Sequence, residues 1–298
     1  MHPPLLPVPA GRLLVTEIPT FPPKQGKIEF SLIIPTYKES QNIKAVVEQL
    51  THLLDKKIRD RYELIIVDDN SPDRTWEVAL NVAQSYPQVK VMRRQAEKGL
   101  STAIIRGWQV AKGKILGAID ADLQHPPEAL LQLYAKMERG ADLAVASRHV
   151  EGGGVSEWSL ARRILSRGAQ LLGLIVLPRV VGRVSDPLSG YFLLRRDAIQ
   201  GKEMKPTGYK ILIEVLGRGS FDRIEEVGYI FQERSEGESK VTIAQYLQYI
   251  QHLLRLRFPR LSLTRSRRYG QFLLKSLQRR RSRSQRQKRQ ALPFSNPR

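Results

Sequence analysis

The chain has 298 residues, of which 41% are hydrophobic, and carries a formal net charge of +20 at pH 7. This length suits one sizeable domain with flanking segments and does not require two independent cores. Cysteine is absent, which excludes disulfides and thiolate metal sites and leaves carboxylates, amides and imidazoles as metal ligands. No window approaches the roughly 20 apolar residues of a membrane-spanning helix, so we expect no transmembrane segment.

Residues 1–29 are predicted to be an extended, proline-rich lead-in. Prolines stand at positions 3, 4, 7, 9, 19, 22 and 23. The segment also lacks the basic start and continuous apolar stretch of a signal peptide, so we expect no cleavage. The first domain is therefore predicted to begin at residue 30.

From residue 30 onward, short apolar runs alternate with amphipathic stretches. The predicted strands are Phe30–Ile34, Leu64–Val67, Val89–Met92, Ile115–Ile119 and Leu143–Ala146. The predicted helices are Ser40–Leu54, with Ser40 as its cap, Asp73–Gln84, Leu100–Ala111 and Pro126–Glu138. This alternation predicts an α/β fold, with a mostly parallel, Rossmann-like sheet flanked by helices, whose ligands bind at the carboxyl ends of the strands.

The second half of the chain changes character. A strand is predicted at Tyr191–Leu194 and a helix at Tyr209–Gly217, whereas Trp158–Leu177 and Val241–Phe258 are predicted to be amphipathic helices that lie on a membrane. The predicted organisation is a catalytic domain at 30–232, a phosphate-binding loop and interfacial helix at 233–260, and a disordered basic tail at 261–298.

An acidic segment follows the predicted strand Ile115–Ile119. Its residues are Asp120, Ala121, Asp122, Leu123 and Gln124. Because alternate side chains of a strand-like segment share a face, Asp120, Asp122 and Gln124 are predicted to bind one Mg²⁺ or Mn²⁺ ion through oxygen. Such an ion would hold a diphosphate and stabilise its departure as a leaving group. The alternative is that the two acids cap the next helix.

Two further strand ends carry polar or aromatic residues. Val67 is followed by Asp68 and Asp69, whose carboxylates could bind a base N–H or ribose hydroxyls, and Tyr37 and Glu39 after the first strand could flank a base. The alternative for the stretch 70–73 is a turn followed by a helix cap. Three such ends on one sheet edge favour a nucleotide site. Neither a glycine-rich dinucleotide turn nor a phosphate-binding loop is present, which disfavours redox enzymes and P-loop kinases.

An ordered series of motifs runs through the chain. The motifs are P-T-Y-K-E at 35–39, V-D-D-N-S-P-D at 67–73, D-A-D-L-Q-H-P at 120–126, S-R at 147–148, R-x-x-x-S-R-G at 162–168, D-P-L-S-G-Y-F at 186–192, G-Y-K-I-L-I-E at 208–214 and R-x-x-G-x-S-K at 234–240. This series resembles the dolichol-phosphate mannosyltransferases, which are inverting enzymes of glycosyltransferase family 2 with a GT-A fold. The resemblance covers about residues 30 to 260.

The resemblance implies metal-dependent, inverting transfer of mannose from GDP-mannose to dolichyl or polyprenyl phosphate. The implied donor-binding residues are Pro35, Tyr37, Glu39, Val67, Asp69, Asp120, Ala121, Asp122, Gln124, Arg234 and Lys240. The implied acceptor-phosphate residues are Arg148, Arg162, Ser166 and Arg234, and the catalytic set is Asp120, Asp122 and Arg148. Lys38, Arg74 and His149 depart from the family pattern, so transfer of glucose or another sugar from a UDP donor stays open.

The chemistry of the acceptor agrees with this set of residues. A phosphate is already ionised near neutral pH, so it requires positioning rather than a strong base, and arginine binds phosphate through bidentate contacts. His125 precedes two prolines and is interpreted as structural, the alternatives being a metal ligand or a base. Asp186 and Gly190 are predicted either to floor the sugar pocket or to form a turn, and Glu214 to contact the sugar.

The positive charge is concentrated at the C-terminal end. No Asp or Glu occurs after Glu238, whereas sixteen Lys and Arg do, which leaves about +4 on the preceding residues. We expect this end to bind anionic lipid and the protein to lie peripherally at the cytoplasmic face of a membrane. The alternatives are nucleic-acid binding, which the catalytic motifs disfavour, and a tail that only confers solubility. A non-catalytic membrane- or RNA-binding module is the alternative of another functional class.

Overall fold

The computed structural model describes residues 5–17, 28–156, 160–232 and 243–258, without the side chains at 160–166 and 243–244. Contacts divide the chain into two compact units, Met1–Leu253 and Leu254–Arg298. All elements below belong to the first unit, except the last residues of α8, which belong to the second. The predicted boundaries at residues 29, 232 and 260 remain predictions.

The fold alternates strands and helices. The strands are β1 Leu5–Leu6, β2 Phe30–Thr36, β3 Tyr62–Asp68, β4 Val89–Arg93, β5 Ile115–Ala118, β6 Leu143–Ser147, β7 Gly154–Val155, β8 Phe192–Arg195, β9 Ile224–Gly228 and β10 Ile230–Phe231. The helices are α1 Ile43–Ile58, α2 Thr75–Ser85, α3 Leu100–Val110, α4 Ala129–Glu138, α5 Leu160–Val176, α6 Pro178–Val181, α7 Ile211–Arg218 and α8 Ile243–Arg257. The prediction of a mostly parallel sheet flanked by helices is confirmed.

The main sheet has the strand order β1-β4-β3-β2-β5-β8-β6-β9. All neighbouring pairs in it are parallel except those of β8, which runs antiparallel to both β5 and β6. Phe192, the first residue of β8, pairs with Ala118 at the end of β5 and with Val145 near the end of β6. The loop before β8 therefore reaches the same sheet edge as the loops that follow β5 and β6.

Both faces of the sheet are covered, which explains the continuous apolar runs of the strands. Leu32 and Ile34 of β2 pack in one cluster with residues of α1, α2 and α4, whereas Ile33 packs in a second cluster with residues of α3 and α7. Trp108 of α3 is fully buried in that second cluster and donates from its indole N–H to the Gly117 carbonyl at 3.2 Å. The strand ends consequently stand on a rigid, two-sided core.

Residues 5–17, the described part of the predicted lead-in, are packed into the fold. β1 pairs with the outer edge of β4, and Val15 is fully buried. The backbone carbonyl of Gly11 accepts a hydrogen bond from the Arg106 guanidinium at 3.0 Å. Residues 5–17 therefore form part of the first unit.

Two predicted helix starts are wrong. The helix α1 begins at Ile43 rather than at Ser40, because the backbone N–H of Ser40 donates to the Asp73 carboxylate at 3.2 Å and so ties this loop to the next one. The helix α4 begins at Ala129, and Pro126 lies in a turn whose carbonyl accepts from the Ala129 N–H. Within the described ranges, no helix is long and apolar enough to cross a membrane.

Candidate active site

Four strand ends and one loop meet at a single edge of the sheet. The parallel strands β3, β2, β5 and β6 deliver Asp69, Tyr37, Asp122 and Arg148 to their carboxyl ends, and the antiparallel β8 brings in the loop 186–190. In the register of β2 with β3, Pro35 pairs with Val67. Asp69, Tyr37, Asp122 and Arg148 therefore lie at the edge where the sequence placed the site, and the loop 186–190 reaches it by an unpredicted antiparallel route.

The acidic segment after β5 turns instead of continuing as a strand. Leu123 has a φ of +59°, and the N–H of Gln124 donates to the Asp122 carboxylate at 3.2 Å. The predicted alternation of side chains is therefore wrong. Gln124 is buried and its side-chain amide donates to the Gln232 carbonyl at 3.0 Å, so its role as a metal ligand stays a prediction. Asp120 and Asp122 are both half-buried.

The loop 186–190 lies directly against this segment. A Cβ atom on Gly190 would stand 2.9 Å from Oδ2 of Asp120, closer than side chains normally approach. A side chain at position 190 would therefore force the Asp120 carboxylate to shift from its present position. This contact favours the interpretation of the loop as a floor of the site over that of a simple turn.

Arg148 is held by Asp186 in a bidentate ion pair. The Nε and one Nη of Arg148 donate to the two carboxylate oxygens of Asp186 at 2.7 and 2.8 Å, and the backbone N–H of Arg148 donates at 3.1 Å. Burial alone would raise the pKa of Asp186, but hydrogen bonds from Arg148 and its positive charge outweigh burial, so this pKa lies below its ordinary value. The pair fixes the plane of the guanidinium at the site.

His125 lies in an aromatic cluster beneath the acidic segment. Its ring stacks on Tyr229 at 5.5 Å and meets the rings of Tyr191 and Phe231 edge to face at 5.5 and 5.3 Å. Burial lowers the pKa of His125 to about 4, which keeps the imidazole neutral near pH 7. The structure thus favours the interpretation of His125 as a structural residue.

The two adjacent aspartates after β3 have different surroundings. Asp68 is fully buried and accepts hydrogen bonds from Thr36 and from the backbone and side chain of Ser71, while burial raises its pKa. Asp69 contacts Arg94, whose Nε donates to Oδ1 at 2.7 Å, and the Gly99 N–H donates to Oδ2 at 2.6 Å. Asp68 therefore shapes the turn, and Asp69 stands at the edge of the sheet.

The loops after β2 and β3 are tied together. Backbone N–H groups of Lys38 and Glu39 donate to the hydroxyls of Ser71 and Thr75 at 3.1 and 3.0 Å. The Tyr37 ring remains 42% exposed. Asp73 accepts from the backbone N–H of Thr75 at 3.2 Å, but the N-cap position of α2 is occupied by Arg74, so the interpretation of Asp73 as the helix cap is wrong. These bonds hold the residues predicted to bind a base in one place.

Several predicted site residues are not brought to this edge. Glu214 is fully buried and accepts from His252 at 2.8 Å and from the Lys205 N–H at 2.5 Å, so the prediction that it contacts a sugar is wrong. Arg162 and Ser166 lie on α5 at positions whose side chains are not described. Arg234 and Lys240 fall outside the described residues.

Arg94 is the residue that sequence reasoning missed. It directly follows β4 and lies beneath Asp69 with a fully buried side chain. A basic residue at the end of an apolar strand, on the same edge as three acidic or aromatic strand ends, was the available signal. Among the described residues no group of three His, Cys, Asp or Glu side chains could hold a metal ion by itself.

Comparisons with known proteins agree with this geometry. The family model "Glycosyl transferase family 2" matches residues 31–201. The chain is 43% identical over 230 residues to a dolichol-phosphate mannosyltransferase of Pyrococcus furiosus, and the alignment covers 77% of this chain and 64% of the relative. It is 35% identical over 238 residues to a dolichol-phosphate mannosyltransferase of Saccharomyces cerevisiae, and that alignment covers 77% of this chain and 87% of the relative. The chain thus spans less than two thirds of the archaeal relative and most of the yeast one.

A solved structure supports the fold. The glucosyl-3-phosphoglycerate synthase of Mycobacterium tuberculosis, in complex with Mg²⁺ and UDP, superposes with a TM-score of 0.58 at 20% identity and covers 77% of this chain and 79% of that one. At this identity the likeness concerns the architecture of the sheet and its helices.

We expect Asp186→Asn to lower the free energy of unfolding by about 3 kcal/mol at pH 7, because it leaves the buried Arg148 cation without its partner. The carboxylate pKa is depressed in the folded state, so this stabilisation is present above the unfolded pKa of about 4 and is lost as pH falls through the folded value. Urea unfolding at pH 7 and at acid pH provides the measurement. The difference in the free energy of unfolding between wild type and variant should be smaller at acid pH than at pH 7. The exposed Asp197→Asn is the control, and equal stability of D186N and wild type at pH 7 contradicts the prediction.

Proposed function

Because the chain belongs to glycosyltransferase family 2, we propose that it transfers mannose from GDP-mannose to dolichyl or polyprenyl phosphate with Mg²⁺ or Mn²⁺ as cofactor. The observation that carries this proposal is the meeting of acidic and aromatic donor residues with the anchored Arg148 at one sheet edge. The donor and acceptor halves of the site are supported by separate contacts.

The donor half lies at the ends of β2 and β3. The exposed Tyr37 would offer a face for the guanine base, and the largely buried carboxylates of Asp69 and Glu39 would offer acceptors for its N–H groups at the floor of this half. Pro35 and Val67 are buried below as part of the paired strands. Arg234 and Lys240 would contact the diphosphate, as the family resemblance implies.

The residues present fit a divalent cation. Asp120 and Asp122 supply hard oxygen donors from half-buried positions, and the absence of a Cβ on Gly190 leaves room beside Asp120. Two carboxylates suffice where a diphosphate and water supply the other ligands. A cation bound there would neutralise charge on the diphosphate as it leaves. Gln124 is the third proposed ligand.

The acceptor half is built around Arg148. With its guanidinium plane fixed by Asp186, Arg148 can bind an incoming phosphate without first being ordered, which lowers the entropic cost of alignment. An oxygen of the ionised acceptor phosphate attacks the anomeric carbon of mannose from the face opposite the diphosphate. A new carbon–oxygen bond forms, the bond to GDP breaks, and the configuration inverts. Arg162 and Ser166 would complete the phosphate contacts.

Transfer is tested with a panel of labelled donors and a defined acceptor. We expect mannose to move from GDP-mannose to polyprenyl phosphate only when Mg²⁺ or Mn²⁺ is present, and Asp122→Asn to abolish the product. Thin-layer separation of the lipid-linked sugar provides the measurement. Product formation from UDP-glucose alone would replace the mannose assignment with the glucosyl alternative, and nucleotide binding without any product would contradict the proposed reaction.

Gly190→Ala should reduce turnover although it adds only one methyl group. The new Cβ would meet Oδ2 of Asp120 at 2.9 Å and displace the carboxylate, and a small misplacement of a catalytic group can cost about a hundred-fold in rate. We expect kcat to fall with little change in melting temperature. Gly154→Ala, whose Cβ would meet nothing within 4 Å, is the matched control. Wild-type kcat in G190A would refute a role for this contact.

The proposed peripheral membrane contact is supported by α5 and α8. Tyr249 of α8 donates from its hydroxyl to the Ala169 carbonyl of α5 at 2.8 Å, and Gly173 permits this close approach. Leu171 and Ile175 of α5 are 59% and 71% exposed, and Leu247 of α8 is 62% exposed. Exposed apolar side chains next to basic residues are typical of a surface that binds the lipid interface. We propose that this surface contacts the cytoplasmic leaflet of a membrane.

Vesicle flotation tests the membrane contact. Leu171→Glu together with Ile175→Glu should reduce the fraction that floats with vesicles of phosphatidylcholine and phosphatidylglycerol, because two charges replace apolar groups at the interface. Both positions are exposed, so folding should be preserved. Leu5→Glu, at an exposed leucine of β1, is the control. Unchanged flotation of the double variant would remove α5 from the proposed contact.

A further inference from the structure

A buried ion network lies beneath the proposed donor site, centred on Arg94. Its side chain is 0% exposed, yet it carries a full charge and makes five polar contacts. Its Nε and one Nη donate to Oδ1 of Asp69, and the same Nη donates to the Gly99 carbonyl at 2.9 Å. The other Nη contacts the hydroxyl of Thr102 at 2.9 Å and the carboxylate of Glu97 at 3.4 Å. The N–H donors of the guanidinium are therefore all used in these contacts.

These contacts fix the orientation of Asp69. Oδ1 faces the Arg94 guanidinium, and Oδ2 accepts the Gly99 N–H at 2.6 Å. Gly99 itself has a φ of +120° and is the N-cap residue directly before the helix α3. Arg94 and the N-terminal end of α3 thus hold the Asp69 carboxylate in one position. Asp69 cannot change rotamer without breaking a buried ion pair.

The network continues away from the site. Arg106 donates to both carboxylate oxygens of Glu97 at 2.5 and 2.9 Å, and also to the carbonyl of Gly11 at 3.0 Å. Hydrogen bonds from Arg106 outweigh burial and lower the pKa of Glu97. Two guanidinium groups and two carboxylates therefore alternate along one chain of contacts. Arg94 is thereby anchored in α3 and in the N-terminal segment.

We propose that Arg94 is a positioning residue for the donor nucleotide, acting through Asp69; this inference rests on the proposed function of the Asp69 edge. A buried ion pair contributes little net stability compared with apolar residues of the same volume. Because Arg94 lies directly behind a carboxylate at the proposed donor edge, its role is to orient that carboxylate rather than to stabilise the fold. With the carboxylate held, a base N–H meets an acceptor that is already aligned, and binding avoids the cost of ordering it.

Arg94→Met is the first test, because methionine keeps much of the apolar volume and removes the donors. We expect the Kd for the nucleotide and the KM for the sugar donor to rise on the order of ten-fold to a hundred-fold, as when a group that orients a ligand-binding residue is removed. The kcat and the KM for polyprenyl phosphate should change little. Arg94→Lys should give an intermediate loss, since lysine retains the charge without the planar fork.

A matched control separates orientation from stability. Arg196 is also buried, and it donates to the backbone carbonyls of Gly113 and Ala111 at 2.9 and 2.7 Å, with no carboxylate among its hydrogen-bond partners in the described part of the chain. Arg196→Met should lower the melting temperature without raising the nucleotide Kd of the folded fraction. In a double-mutant cycle, Arg94→Met should add no further loss of nucleotide affinity to Asp69→Ala, because the alanine variant has already lost the carboxylate that Arg94 aligns.

Calorimetric titration uses whichever of GDP and UDP the wild type binds, so an error in the guanosine assignment does not affect this test. Three results would each overturn the role of Arg94 while leaving the proposed function intact. They are an unchanged nucleotide Kd in folded R94M, a loss of nucleotide affinity in R94M no larger than that in R196M, and additive losses of affinity in the double mutant. If wild type binds neither nucleotide, the proposed function fails and the inference fails with it.

Discussion

The arrangement of the site depends on how the negative charges gathered at one sheet edge are balanced. Parallel strands that end at one sheet edge bring Asp68, Asp69, Asp120 and Asp122 to the same side of the domain, and carboxylates at close range destabilise one another. Two buried arginine–aspartate pairs meet this constraint within the described structure. Arg94 holds Asp69 on the side of the proposed donor half, and Asp186 holds Arg148 on the side of the proposed acceptor half. In the proposed site, Asp69 would contact the donor and Arg148 the acceptor phosphate.

The direction of β8 organises the acceptor half. Because this strand lies antiparallel between β5 and β6, the loop 186–190 enters the edge at which its neighbours end. That loop supplies both Asp186, which fixes Arg148, and Gly190, which makes room for Asp120. The aromatic cluster around His125 lies close by and is neutral, so it provides rigid packing without adding charge. The proposed metal-binding and phosphate-binding halves would thus share one support.

Local patterns were enough to predict most of the strands, the α/β class and the sheet edge at which Tyr37, Asp69, Asp122 and Arg148 meet. Apolar runs that are buried on both faces, and polar residues placed directly after them, are signals of short range. The antiparallel course of β8, the left-handed turn at Leu123 and the burial of Glu214 against His252 depend on long-range contacts. Local patterns could not separate Asp68 from Asp69, because adjacent residues of one type differ only in what their surroundings provide; the family resemblance alone selected Asp69. Arg94 was missed because its contact with Asp69 joins residues that are distant in the sequence.

The most direct measurement of the central claim is a crystal structure of the protein with GDP and Mn²⁺, in which anomalous scattering locates the metal. The account predicts the metal signal beside Asp120 and Asp122, the diphosphate next to it, and the guanine between Tyr37 and Asp69, with Arg94 and Asp186 still in their ion pairs. A metal and nucleotide bound away from the ends of β2, β3 and β5, or a guanine that makes no contact with the Asp69 edge, would contradict it.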